Sequence, residues 1–434
     1  MATWIKNGEV VDPVKGVVEK LDIVVERGRI IKIIPAGEFK EEGPQLRIIN
    51  ASGKIIVPGL IDMHVHLREP GHEYKETIAT GGKAGVAGGF VGIACMPNTE
   101  PVNDSSSVTE FILRQARKAN LLKVYPIAAI TKGQKGEILT EFGDLREAGA
   151  VGVSDDGLPV SNSEVMRRAI EYARYHNLVI IAHCEDMHLS GGGVMHEGLV
   201  STQIGLPGIP AASEDIMVQR EISLAKLTGC PVHIAHVSTA GSVELIRRSK
   251  EEGVPVTAET APHYFSLDHN AVRGYNTNAK MKPPLRTPED VAAVKRGLAE
   301  DVIDVIATDH APHSPLEKDL EFDKAAFGII GLETALPMTL SLVREGVLSL
   351  PEAIRKLSYN PATILGVNAG FLDEGVSADL AVIDPECEYI LKAEEIQSKS
   401  KNSPFIGEPM KGRNMFTIIR GRIVWERDAD RFSC

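Results

Sequence analysis

The chain has 434 residues, 43% hydrophobic and 24% charged, enough for one large core plus a smaller satellite domain and unlike a disordered or fibrous protein. Its 47 Lys and Arg against 59 Asp and Glu give a formal net charge of −12, without the basic stripe that a phosphate backbone requires, so nucleic acid is not an expected partner. The start, MATWIKNGEVVDP, carries no basic segment ahead of an apolar run, and no later apolar stretch approaches the roughly 18 residues needed to cross a bilayer. A cytoplasmic protein with no membrane association is expected. The five cysteines, Cys95, Cys184, Cys230, Cys387 and Cys434, show no CxxC spacing, which predicts reduced and mostly buried thiols rather than a disulfide framework or a thiolate metal site.

In chain order, WIKNGEVVDP and LDIVVERGRIIKIIP alternate apolar and polar residues around Gly-containing turns, the pattern of short antiparallel strands. From about Gly59 the pattern changes to short, continuously apolar, β-branched runs separated by segments of helical period, as in parallel strands buried on both faces. Eight such runs follow: LIDMHVH, VGIACMPN, KVYPIAAI, VGVSDDG, LVIIAHCE, VHIAHVS, VPVTAETAPH and DVIDVIATDH. Between them lie amphipathic stretches such as SEVMRRAIEYARYH and SEDIMVQREISLAKLTG, with Ser161 or Ser163 expected to cap the first, and Ser213 with Glu214 and Asp215 to open the second. At the end of the chain ADLAVIDP, ECEYILKA and FTIIRGRIVW return to strand alternation. The predicted fold is α/β, a (β/α)8 TIM-like barrel over 58–369 with a small β-sandwich domain built from both termini, 1–57 with 370–434.

Polar residues interrupt the apolar runs at one end. His64 and His66 close the first run, Asn98 follows the second, Asp156 lies in the fourth, His183 in the fifth, His236 in the sixth and Asp309 in the eighth. The C-terminal ends of parallel barrel strands converge on one face, so these residues are expected to meet around one cavity. His64 and His66, two apart on a strand, point the same way and make a good start for a metal site. A lone buried histidine such as His233 or His176 is ordinarily a satisfied packing residue; the force of the argument lies in the set. Four histidines and two carboxylates exceed what one tetrahedral zinc with an open position needs, and suit two divalent ions a few Å apart. Without a thiolate, Zn2+ is the first expectation, with Mn2+ and Co2+ as alternatives. A water shared by two such ions would be hydroxide near neutral pH and would attack a carbonyl.

HVHLREP at 64–70, MPNT at 96–99, SDDG at 154–157, AHC at 182–184, AHVS at 235–238 and ATDHAPH at 307–313 resemble the dihydroorotases of the amidohydrolase superfamily. FGIIGLET and NSPFIGEPMKGRNMFTIIRGRIVW resemble the bacterial type that pairs the barrel with a β-sandwich, so the likeness covers nearly the whole chain. The resemblance implies reversible cyclisation of N-carbamoyl-L-aspartate to L-dihydroorotate in pyrimidine biosynthesis. It implies that His64, His66 and Asp309 hold the more buried metal, that His183 and His236 hold the second, and that Asp156 supplies a carboxylate near both. Asp309 would take the proton of the nucleophilic water and later deliver it to the departing ring nitrogen. Arg68, Asn98 and His313 would bind the substrate carboxylate, Arg68 through its planar fork of donors. A homodimer and an association with aspartate transcarbamoylase are the candidate assemblies.

Hydantoinases, among other relatives, use a carbamylated lysine on the fourth strand; Val151 to Gly157 contains none, which favours the aspartate version. The chain departs from the family at Lys282, ahead of Pro283, where NPPLR is usual, and at Ala326, where a proline is common; the first alters a side-chain contact to the pyrimidine ring. The competing readings are another cyclic amidohydrolase, an allantoinase or hydantoinase, and a catalytically silent scaffold for aspartate transcarbamoylase, a class that tends to lack the metal ligands present here.

Overall fold

The computed structural model describes residues 2–39 and 46–427. The first five strands are β1 (Ala2–Asp12), β2 (Val17–Glu26), β3 (Arg29–Pro35), β4 (Leu46–Asn50) and β5 (Ile55–Pro58). The next five are β6 (Leu60–Val65), β7 (Phe90–Cys95), β8 (Lys123–Ala128), β9 (Gly152–Val153) and β10 (Val179–Ala182). After a two-strand ladder of β11 (Met195–His196) and β12 (Gly208–Ile209) come β13 (Val232–Ile234), β14 (Val256–Thr260) and β15 (Val305–Ile306). The chain closes with β16 (Leu380–Ile390), β17 (Pro409–Ile419) and β18 (Arg422–Glu426).

Strands β6 to β10 and β13 to β15 form one eight-stranded sheet in sequential spatial order, with every pairing parallel. A parallel bridge between Val65 and His310, with the His66 amide donating to the His310 carbonyl at 2.8 Å, joins the first strand to the eighth and closes the barrel. All eight apolar runs read from the sequence are these strands. They are continuously buried because helices cover the outside while side chains such as Ile61, Met63, Val91, Ile127, Ile181 and Val305 pack together.

The terminal strands form a second eight-stranded sheet, ordered β18-β17-β16-β5-β1-β2-β3 with β4 also on β1. It departs from the sequence expectation in two details. ADLAVIDP and ECEYILKA are one strand, β16, whose register against β17 shifts between Asp384 and Glu388 rather than breaking. β1 pairs antiparallel with β2 but parallel with β4 and β5, so the sheet is mixed.

Two helix starts are corrected as well. The helix Ser163–Tyr175 is capped by Asn162, whose side chain accepts from the Glu164 and Val165 amides, not by Ser161 or Ser163. The helix Ala212–Thr228 has no side-chain cap; Ser213 lies inside its first turn and donates to Pro210 O. Glu214 there is spent on tertiary bonds, accepting from the Ser238 amide at 2.9 Å. Cys95, Cys184 and Cys230 are free, whereas Cys387 is disulfide-bonded, against the expectation of uniformly reduced thiols. No helix among the described residues is long and apolar enough to cross a membrane.

Candidate functional site

The barrel gathers the six candidate metal ligands at one end. Asp156, just beyond β9, sits at their centre: Oδ1 lies 3.5 Å from His64 Nε2, 3.4 Å from His183 Nδ1 and 3.6 Å from His236 Nε2, and Oδ2 lies 3.5 Å from His66 Nε2. Asp309 Oδ1 is 3.1 Å from His66 Nε2 and 3.7 Å from His64 Nε2. Two groups able to hold an ion result, His64–His66–Asp156 and Asp156–His183–His236, with Asp156 common to both. Its neighbour Asp155 points away, accepting from the Ile130 and Thr131 amides at 2.8 and 3.1 Å.

Three of the four histidines have a dedicated partner on the nitrogen that faces away from this centre. Glu259 holds His64 Nδ1 at 2.6 Å, Asn98 Oδ1 holds His66 Nδ1 at 2.8 Å, and Glu185 holds His183 Nε2 at 3.0 Å. An acceptor there places the ring proton outward and turns the opposite lone pair toward the cluster, as in metal-ligating histidines. Two consequences show that the residues fit divalent cations. His64 Nε2 is buried and makes no hydrogen bond, and His183 Nδ1 and His236 Nε2 face each other at 2.8 Å. Lone pairs so arranged need an electrophile, and imidazoles with carboxylates and no thiolate suit Zn2+, Mn2+ or Co2+.

Electrostatics point the same way. Burial favours neutral His64, yet Glu259 and Asp156 outweigh it and raise its pKa well above the usual imidazole range. Burial would likewise raise Asp156, but His64, His183 and His236 hold it well below the usual carboxylate range. For Asp309, too, burial is overcome, by a hydrogen bond from His66 and the nearby His64. The centre thus favours positive charge in a buried volume.

A cavity of about 190 Å3 opens over this cluster, with Arg68, Asn98, Lys282, Asp309, His313 and Phe327 in its wall. Arg68 is half-buried; its Nε donates to Pro312 O at 3.2 Å and Nη2 lies 3.2 Å from His313 Nε2. Burial, then Arg68 and Lys75, depress the His313 pKa far below the imidazole range. Asn402 accepts from the His313 amide at 3.0 Å and so holds that loop. Asn98, expected to bind a substrate carboxylate, also bridges the cluster, donating from Nδ2 to Asp156 Oδ2 at 3.3 Å. Lys282 enters the wall beside Phe327 and pairs with Glu185 Oε1 at 3.1 Å. Backbone strain collects here too: Arg68, His236 and Asp309 have φ of 61°, 37° and 48°, left-handed values that cost non-glycine residues about 1–3 kcal/mol each.

The supporting groups escaped sequence reasoning. His233, read as packing, is fully buried and bonds Glu259 Oε2 at 3.2 Å and Thr257 Oγ1 at 2.8 Å. Asp62 accepts from the His64 and Thr308 amides, 3.1 and 3.2 Å away, tying the first strand to the eighth just below the cluster; burial pushes its pKa up to about 7. The one available signal was position: Glu185 lies two residues after His183, and Glu259 sits inside the largely buried strand β14.

A family model described as dihydro-orotase-like matches residues 53–242. A dihydroorotase of Geobacter metallireducens is 55% identical over 98% of this chain and 100% of its own length, and one of Syntrophus aciditrophicus is 50% identical over 99% and 100%. The chain belongs to the dihydroorotase family. Among solved structures, an L-hydantoinase (dihydropyrimidinase) from Arthrobacter aurescens superposes with a TM-score of 0.86 at 26% identity, covering 98% of this chain and 96% of that one. A dihydropyrimidinase from Brevibacillus agri, with a TM-score of 0.85 at 21% identity over 98% and 95%, shares the fold. Membership in the dihydroorotase family agrees with the local sequence: β9 runs into Ser154-Asp155-Asp156 and offers no lysine to the cluster.

Proposed function

We infer that this chain is a dihydroorotase, a cyclic amidohydrolase that interconverts N-carbamoyl-L-aspartate and L-dihydroorotate in the cytoplasm. Full-length identity of 50–55% to dihydroorotases supports the activity. The observation that carries the chemistry is one cavity wall joining the imidazoles of His66, His183 and His236 and the carboxylates of Asp156 and Asp309 to the Arg68–His313 pair.

In this reading His64, His66 and Asp309 would hold one divalent ion and His183 and His236 a second, with Asp156 supplying a carboxylate near both. Zn2+ is the proposed metal, at two per subunit. Such ions, when bound, acidify a water and polarise an amide carbonyl. The chain's own residues do the rest. Arg68, Asn98 and His313 seat the substrate carboxylate and so fix the ring amide over the cluster. Asp309, kept anionic by His66 and His64, accepts the proton of the attacking water and returns it to the ring nitrogen as the C–N bond breaks. Ring closure runs the same transfers in reverse. Glu259, Glu185 and Asn98 hold the imidazoles in the tautomers this needs.

The testing experiment follows dihydroorotate hydrolysis by absorbance on the purified chain while metal per subunit is measured. Activity that falls with chelation and returns with Zn2+, Mn2+ or Co2+ supports the reading; full activity in verified metal-free protein, or none at two ions per subunit, sinks it. A hydantoinase reading predicts faster turnover of hydantoin than of dihydroorotate.

A further inference from the structure

On a chain of net charge −12, one region reverses the sign. Two adjoining cavities of about 580 and 570 Å3, sharing Lys123 and Arg420, lie where the terminal sheet meets the barrel. Their walls carry Arg27, Arg29, Arg117, Lys123, Arg420 and Arg422 against a single carboxylate, Asp379. Lys123 begins β8, so these cavities are at the N-terminal ends of the barrel strands, opposite the histidine cluster.

Four of the six cations come from a repeated motif. Arg27-Gly28-Arg29-Ile30 turns β2 into β3, and Arg420-Gly421-Arg422-Ile423 turns β17 into β18. Both leading arginines have φ of 50°, and the two turns are pressed together. A Cβ on Gly28 would stand 2.9 Å from Arg420 O, and one on Gly421 3.1 Å from Gly28 Cα, so glycine is required at both for the approach.

The charge is held in place and left over. Asp379 is spent, accepting from Lys123 Nζ at 2.8 Å and from the Arg420 amide at 2.7 Å. Arg29 and Arg422 are braced by neutral carbonyls, Gly375 O and Asn120 O, each at 2.6 Å, which orients the guanidinium without cancelling it. Arg27 approaches only Glu26, at 3.7 Å and with its side chain 92% exposed.

We propose that these paired Arg-Gly-Arg turns form a binding site for a small anion carrying two phosphate groups. The concave cavities are of small-ligand size, five of the six cations are arginines with the fork geometry that phosphate oxygens match, and their spread over two joined cavities suits two phosphates rather than one.

The test is calorimetric titration of the holoenzyme with fructose 1,6-bisphosphate, inorganic phosphate and poly-L-glutamate, on native protein, the Arg27→Ser/Arg420→Ser variant and Arg117→Ser. The expected result is saturable 1:1 binding of the bisphosphate, about tenfold or more tighter than phosphate and weakened by added salt. That affinity should drop about tenfold or more in the double variant, with metal content and dihydroorotate kinetics unchanged. Arg117→Ser, on an exposed helix end, should weaken binding severalfold and keeps the test open if the double variant does not fold. No saturable binding at millimolar bisphosphate, or equal affinity in native and variant proteins, overturns the proposal. Binding of polyglutamate without the bisphosphate also overturns it, in favour of an acidic protein partner.

Discussion

At the C-terminal mouth of the barrel, the His64, Asp156 and Glu259 side chains are almost wholly buried, and each is locked to groups of opposite tendency. At the N-terminal end, arginines from two surface turns project around a carboxylate that is already satisfied. The first arrangement costs desolvation and backbone strain, and it persists because the barrel over-determines every position. The second costs little, because the guanidinium groups stay wet. A buried polar cluster therefore reports on chemistry at that point, whereas an exposed one reports on what can approach. Substitutions at the mouth should accordingly be severe and graded by depth, and those at the far end silent for turnover.

The largest effect is expected at Asp309. Asp309→Asn removes proton transfer, which alone supplies roughly 10²–10⁴-fold, and disturbs the cluster, so kcat should fall by about three orders of magnitude or more. Asp155→Asn, which touches only the Ile130–Thr131 turn, should be much milder. Steady-state kinetics of the two at matched metal content decide; a worse Asp155→Asn would move the fourth-strand assignment by one residue.

One layer out, Glu259→Gln keeps the shape but weakens the hold on both His64 and His233. Metal affinity should drop about 10–100-fold, as for other carboxylates behind ligating histidines. Equilibrium dialysis against a zinc buffer measures it, and unchanged affinity would reduce Glu259 to a packing role.

At the rim, Arg68→Ala removes a hydrogen bond to a charged group worth ~1.5–3 kcal/mol, roughly a ten- to hundred-fold loss in kcat/KM for dihydroorotate. Dihydrouracil, the same ring without the carboxylate, should lose little. Equal losses on both would make Arg68 a support of the site rather than a carboxylate ligand.

The smallest effect is expected at Lys282, whose pair with Glu185 is partly open to solvent. Lys282→Met should cost about 0.2–1 kcal/mol, no more than about fivefold in kcat/KM, with metal content unchanged. A larger loss would mean that the ammonium, and not only the backbone at this position, meets the substrate.

The sequence by itself carried the barrel, because a parallel strand covered on both faces must be continuously apolar and leaves eight readable runs. It also carried the candidate ligands, because polar residues at the ends of such runs stand out against an apolar background. That His64 and His66 share a direction follows from strand periodicity alone. Tertiary structure decided what no local pattern encodes. Glu259 meets His64 across 195 positions and Asn402 meets the His313 loop across 89, and contacts between residues so far apart leave no period in the chain. Asn162 displaced the expected serine caps because a cap depends on backbone geometry that composition does not set. β1 took parallel partners because strand direction is settled by where the connecting chain returns. Lys282 turned toward Glu185 because the folded wall offered it a buried anion. The basic end was written in the chain as two copies of Arg-Gly-Arg-Ile, about 390 positions apart by the turn logic that also demands their glycines, yet only the sheet that brings both termini together makes them one surface.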